Sequence, residues 1–193
     1  PKEVLDKEFI FGLGGYFVHK GTCRYIMFQE RSTFNRLMNF DNTKKMKNKK
    51  FSRSVEIRNS ATNEASTSLI ALGIQKDGNV YVNLQFVQEN AYIPAFHFFY
   101  AMQITDPERI LSYIISKDDP LYERAAPYLL AMFELASKTN YMDEIGSLGK
   151  DKVLDKEMHI EMIINKFFLH HYNSIEKKAK YFGFMIYTLI QFN

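Results

Sequence analysis

Apolar and polar positions follow a strand-like pattern through the first half of the chain and change to a helical period from Ile93 onward. Gly14-Gly15-Tyr16-Phe17-Val18, then Lys20-Gly21-Thr22, then an apolar run from Arg24 to Phe28 read as a β-hairpin. The two glycines free the backbone at the entry, β-branched and aromatic residues fill two short strands, and Gly21 turns the chain between them. Positions 34–51 are polar, rich in Lys and Asn and poor in periodic apolar residues, and read as a loop or insertion. Strand patterning returns at Ser54-Val55-Glu56-Ile57-Arg58, at Thr67 to Ile74 and at Asn79 to Val87, with the hairpin signal Lys76-Asp77-Gly78-Asn79 between the last two.

Pro94 opens a short helix carrying Phe96, Phe98, Phe99, Tyr100 and Met102, an aromatic stripe expected in the core. Thr105-Asp106-Pro107-Glu108 combines a capping side chain, a first-turn proline and an acid at the positive helix end, ahead of Ile110, Leu111, Ile114 and Ile115. Asp118-Asp119-Pro120 repeats the device before Leu121 to Ser137, where Pro127 predicts a kink or two helices because it removes a backbone donor. A short helix over Asn140 to Leu148 is stopped by Gly149, and Asp155 to Leu169 carries Met158, Met162, Ile163 and Phe167 at helical spacing. Ser174 leads a last helix through Phe192. The expected class is α+β: a mostly antiparallel β first half followed by five or six helices.

Composition changes this picture at a few points. With 193 residues, 46% hydrophobic and 15% aromatic, the chain has enough apolar mass for a real core. The single cysteine, Cys23, excludes an internal disulfide and a multi-cysteine zinc site, and an intracellular home is the simpler expectation. No apolar stretch reaches the roughly 18 residues needed to span a bilayer, so no membrane partner is expected. The chain starts at Pro1 and ends directly after an apolar helical run, which reads as a piece of a longer polypeptide.

Net charge is +3, yet Lys44, Lys45, Lys47, Lys49, Lys50 and Arg53 place six bases and no acid in ten positions, leaving 3 − 6 = −3 for the remainder. Such a run suits phosphate neutralisation with counterion release, and equally a solvated loop. Other candidates are weak. Gly12-Leu13-Gly14-Gly15 lacks the third glycine of a dinucleotide loop and precedes a strand where that motif requires a helix. Adjacent His170 and His171 diverge on a helix and have no partner at ligand spacing, and Cys23 reads as a packed strand cysteine. No nucleophile, base and orienter set suggests a hydrolase. Glu30 and Arg31 read as an ion pair or cap, with direct DNA contact by Arg31 as the alternative.

One series of segments carries more information. Gly14-Gly15-Tyr16-Phe17-Val18, Lys20-Gly21-Thr22 and the strand closing on Gln29-Glu30-Arg31 are followed by Val55-Glu56-Ile57-Arg58-Asn59-Ser60, Ser66-Thr67-Ser68-Leu69 and Ile93-Pro94. Ile104-Thr105-Asp106-Pro107-Glu108-Arg109-Ile110-Leu111, Glu144-Ile145-Gly146-Ser147-Leu148-Gly149, Phe168-Leu169-His170-His171 and Lys177-Lys178-Ala179-Lys180-Tyr181-Phe182-Gly183-Phe184-Met185-Ile186 complete it. In this order the series resembles the second-largest subunit of eukaryotic, archaeal and viral DNA-directed RNA polymerases, where the chain passes from protrusion to lobe. Thr22-Cys23-Arg24 departs from the usual hairpin, the proline before the histidine of the FLPH-type segment is missing, and the Lys/Asn-rich loop has no clear counterpart.

The resemblance implies residues 1–36 as a β-hairpin segment at the protrusion/lobe junction and 37–193 as the lobe. It implies a non-catalytic piece of a nucleotidyltransferase, a wall of the DNA cleft and a docking surface. The expected partners are the largest subunit, small subunits, initiation factors and the DNA template. Lys44, Lys45, Lys47, Lys49, Lys50, Arg53 and Arg31 are the expected nucleic-acid contacts. No catalytic or metal-ligating residue is expected here, and the Mg2+ of the complete polymerase is expected elsewhere. The location would be the nucleus in a cellular eukaryote, or cytoplasm or virion for a virus. A free-standing protein-interaction module that never meets DNA is the alternative.

Overall fold

The computed structural model describes residues 14–30, 33–43, 51–60, 67–75, 78–85, 87–88, 91–149 and 155–192. Two compact units result, Pro1–Ser32 and Thr33–Asn193.

In the first unit, β1 (Tyr16–His19) and β2 (Thr22–Tyr25) pair antiparallel with Tyr16 opposite Tyr25 and His19 opposite Thr22. The two-residue loop, Lys20 and Gly21, has φ of 50° and 75°. Positive φ at both loop positions gives a turn whose twist matches that of the strands. The apolar run after β2 does not extend the pairing: Ile26, Met27 and Phe28 follow the strand and are exposed, Phe28 fully (100%). Cys23 is also exposed, contrary to the packed position expected of it, because both short strands show their side chains to solvent throughout.

The second unit holds a five-stranded antiparallel sheet ordered β3 (Leu37–Asp41), β4 (Arg53–Ser60), β5 (Thr67–Ile74), β6 (Val80–Leu84), β7 (Ile93–Pro94). Each strand pairs with its sequence neighbour, so the sheet is a meander whose connections need no crossover. Strand β3 lies inside the stretch expected to be a loop. It is an edge strand whose side chains are at most half-buried, so the polar Asn39 and Asp41 carry no burial penalty and the apolar alternation that marks a strand is weak. Asn35 fastens its start: the side-chain amide donates to the Ser60 carbonyl (2.8 Å) and its Oδ1 accepts from Ser60 N–H (2.9 Å).

Six helices follow among the described residues: α1 (Ala95–Ala101), α2 (Pro107–Ile114), α3 (Tyr122–Lys138), α4 (Tyr141–Glu144), α5 (Lys156–Lys166) and α6 (Ile175–Phe192). The class is α+β, as the patterning predicts. Asp106 caps α2 by accepting from Glu108 N–H (3.2 Å), and Asp155 caps α5 by accepting from Glu157 and Met158 N–H (3.0 and 3.2 Å). Helix α3 is not divided at Pro127. The proline is exposed and early in the helix, so the carbonyl that loses its donor can turn to water, while Ala125, Leu129, Met132 and Ala136 hold the inner face.

The core sits between sheet and helices. Phe98 stacks on Phe168 at 4.7 Å, and Phe182 lies 5.1 Å from both Phe99 and Phe168, so α1, the turn after α5 and α6 meet at one aromatic cluster. Phe96, Phe98 and Phe99 are fully buried, as expected of the stripe. Helix α6 packs across β4 and β5 and crosses α2 so closely that a Cβ on Gly183 would stand 2.2 Å from the Tyr113 carbonyl oxygen. No side chain fits there without moving one backbone from the other.

Candidate functional site

The described residues on either side of the five lysines are fastened at the open end of the β3–β4 pair. Asp41 Oδ1 accepts from the backbone N–H (2.9 Å) and hydroxyl (2.6 Å) of Thr43, closing the exit from β3. Asn42 N–H donates to the Ser52 carbonyl (2.9 Å), and Ser52 N–H donates to the Ile74 carbonyl (2.9 Å), which ties the re-entry to β5. Phe51 is buried over Gly73, whose missing side chain makes room for the ring, and meets Tyr92 edge-on at 5.3 Å. A rigid frame therefore fixes Thr43 and Phe51, and the five lysines join those two points along the sequence.

Lys44, Lys45, Lys47, Lys49 and Lys50 lie outside the described residues, as does Arg31. Arg53 is described: it begins β4, half-buried, with Asp41 directly opposite in the register. Opposite charges facing one another across an antiparallel pair stabilise it. Arg53 thus has a part in the sheet that the charge run alone does not suggest.

The histidines belong to the packing. His97 is fully buried on α1, with Nε2 3.2 Å from the Thr139 hydroxyl and 3.4 Å from the Ala136 carbonyl, and burial pushes its pKa down to about 4. Ser68 Oγ donates to the Phe167 carbonyl (2.9 Å) and lies 3.2 Å from His170 Nδ1, so this pair ties the strand β5 to the turn after α5. His171 packs edge-on against Tyr181 at 5.7 Å; burial first, then the neighbouring His170 and Lys178, lower its pKa to about 4. Among the described residues no group of three or more His, Cys, Asp or Glu is arranged to hold a metal ion.

Lys178 is a charge that no local sequence signal places inside. Only 2% exposed, it donates to the carbonyls of Ile164 (2.5 Å) and Asn165 (3.5 Å) in the last turn of α5, and burial pushes its pKa down to about 8. A cation at the negative end of a helix satisfies carbonyls that the helix itself leaves unpaired. Lys178 therefore joins α6 to α5 and is unavailable to a nucleic acid.

The geometry describes a scaffold with a fastened hairpin, and comparison with known proteins says which. Residues 26–193 match the family described as RNA polymerase Rpb2, domain 2. The chain belongs to that family. The Rpb2 domain 2 match spans the sheet and all six helices, and it bears out the resemblance to the lobe of the second-largest polymerase subunit. The chain is 28% identical over 200 residues to DNA-directed RNA polymerase II subunit RPB2 of Eremothecium gossypii, with 95% of this chain covered. It is also 28% identical over 194 residues to DNA-directed RNA polymerase II subunit 2 of Arabidopsis thaliana, with 92% covered. It spans 16% of the length of each of these relatives. Among the described residues no helix is long and apolar enough to cross a membrane.

Proposed function

We propose that this member of the Rpb2 domain 2 family works as the non-catalytic lobe of a DNA-directed RNA polymerase, forming a wall of the DNA cleft and a docking surface for small subunits and initiation factors. The observation that carries this reading is the family match across residues 26–193, within which several of the segments that carry the resemblance become structural parts. Phe168-Leu169 and Phe182-Gly183 build the core and the close helix crossing, so these segments preserve a shape. A polymerase lobe needs a stiff shape, because phosphate contacts position nucleic acid without reading bases. The polymerisation chemistry and its Mg2+ belong to other parts of the enzyme, and the working location is the nucleus of a eukaryotic cell.

In this reading Lys44, Lys45, Lys47, Lys49, Lys50, Arg53 and Arg31 neutralise DNA phosphates. Two measurements test it. The tagged parent polypeptide, purified from its native source, is expected to bring down the largest polymerase subunit; recovery of no polymerase subunit overturns the reading and favours the free-standing interaction module. With Lys44, Lys45, Lys47, Lys49 and Lys50 changed to Ser, the slope of log affinity for DNA against log salt is expected to flatten, by up to about 0.9 for each phosphate that is no longer neutralised. An unchanged slope removes the basic run from the interface.

A further inference from the structure

Helix α5 turns methionines outward. Its buried residues are Ile160, Ile163 and Ile164, whereas Met158 is 68% exposed and Met162 also faces solvent. Beside them lies a groove of about 520 Å3 between the end of α1, helix α4, helix α5 and the start of α6. Met102, Ile160 and Ile164 are buried residues at its base, Tyr141 and Met142 line it from α4, and Ile175 from the start of α6. That volume lies in the range of roughly 300–1,000 Å3 that accommodates a cluster of apolar groups.

Among the described residues the charge that lines it is one-sided. Asp155, Glu157 and Glu161 line the groove, and among the described residues no lysine or arginine does. The nearest basic residue in sequence, Lys156, is engaged by Asp143 at 2.6 Å. Methionine suits a binding surface because its unbranched, polarizable side chain repacks around different shapes. Carboxylates beside an apolar groove favour a partner that brings cations next to its apolar residues and disfavour nucleic acid, whose phosphates they repel.

We propose that this groove docks a segment of a protein partner in which apolar side chains are flanked by Lys or Arg, the apolar residues seating against Met158, Ile160 and Met142 and the cations facing Glu157 and Glu161. The inference rests on the docking role proposed above and gives it a place and a chemistry. It also separates the molecule's surfaces: the basic run at the β3–β4 end serves an anion, and the α5 groove serves a cationic polypeptide.

The test is site-specific photo-crosslinking in the polymerase assembled in its native cell. A photoreactive residue replaces Met158, or, as a control, Leu130, which is exposed on α3 (62%). The crosslinked peptides are then sequenced. The expected result is one recurrent polypeptide stretch at position 158, absent at position 130, with Lys or Arg beside its apolar residues. Glu161→Lys is expected to lower that crosslink at least ten-fold while the largest subunit still co-purifies. Crosslinks only within the chain, to nucleic acid or to an acidic stretch, or a yield that Glu161→Lys leaves unchanged, overturn the inference while polymerase assembly stands. Loss of the largest subunit from the unmodified preparation would instead mark failure of the polymerase reading itself.

Discussion

Helices α5 and α6 both carry apolar residues at helical spacing, but they are covered very differently. Helix α6 lies between α2 and the sheet and buries eight residues, Lys178 and Gly183 among them. Helix α5 buries three isoleucines against its neighbours and leaves its methionines to solvent. The same apolar periodicity therefore reports that a helix has an inner side without reporting how far the fold encloses it. Enclosure follows from position: an element with layers on two sides buries a wider arc, and an outer element buries a narrower stripe.

The sharpest way to break this comparison is at the enclosed helix. Phe182→Ala removes a ring that packs on Phe98, Phe99 and Phe168 from a fully buried position. The expected cost is about 3–5 kcal/mol, the transfer term plus a cavity that its neighbours fill only partly. Urea unfolding of the chain measures it, and a loss under about 1 kcal/mol would show that α6 is not the centre of the core.

Much of this architecture is legible in the sequence because several signals coincide. At Asp106-Pro107-Glu108 the cap, the proline and the acid all mark one helix start, and α2 begins at Pro107. At Thr67 to Ile74 a strand-length run, apolar from Leu69 onward, gives β5 with the same bounds. Legibility fails where one signal stands alone. Strand β3 owes its existence to backbone pairing with β4, which leaves little trace in a half-exposed Leu-Met-Asn-Phe-Asp string. Pro127 removes one hydrogen bond, but the inner face of α3 from Ala125 to Ala136 holds the helix together. The burial of Lys178 depends on the carbonyls of a helix end fourteen positions earlier in the chain, which no local pattern encodes. For the candidate site, the charge run is visible in the sequence, whereas the acidic, methionine-lined groove requires α1, α4, α5 and α6 to converge.

A second prediction uses pH to distinguish enclosed from open ground. His97 and His171 have folded-state pKa values near 4, below the ordinary histidine value of 6.5, because burial disfavours their charged forms. Between pH 6.5 and 4 the unfolded chain therefore binds more protons than the folded one, and stability falls as pH falls through that window. Fully buried His97 contributes a slope of up to about 1.4 kcal/mol per pH unit, and half-buried His171 contributes less because solvent screens it. Removing one titrating group by His97→Gln is expected to flatten the dependence by about one proton, read from urea midpoints taken across the window. An unaltered slope would show that His97 takes up its proton equally in the folded and unfolded states, and α1 would then be less enclosed than the full burial of Phe96, Phe98 and Phe99 implies.

The smallest expected effect lies on the outer face of α5. Met158→Ser changes a side chain that is mostly exposed, so little apolar area returns to water and the surrounding core loses no support. Serine also lowers helix propensity by a few tenths of a kcal/mol, and the total change is expected to stay within about 0.5 kcal/mol. Its small size is what makes the variant informative. A methionine kept at a solvent-facing helix position contributes little to folding, so any loss of partner binding from Met158→Ser belongs to recognition and not to unfolding. If the urea midpoint instead drops as far as it does for a core residue, Met158 is part of the packed interior, α5 is enclosed like α6, and the difference between the two helices disappears.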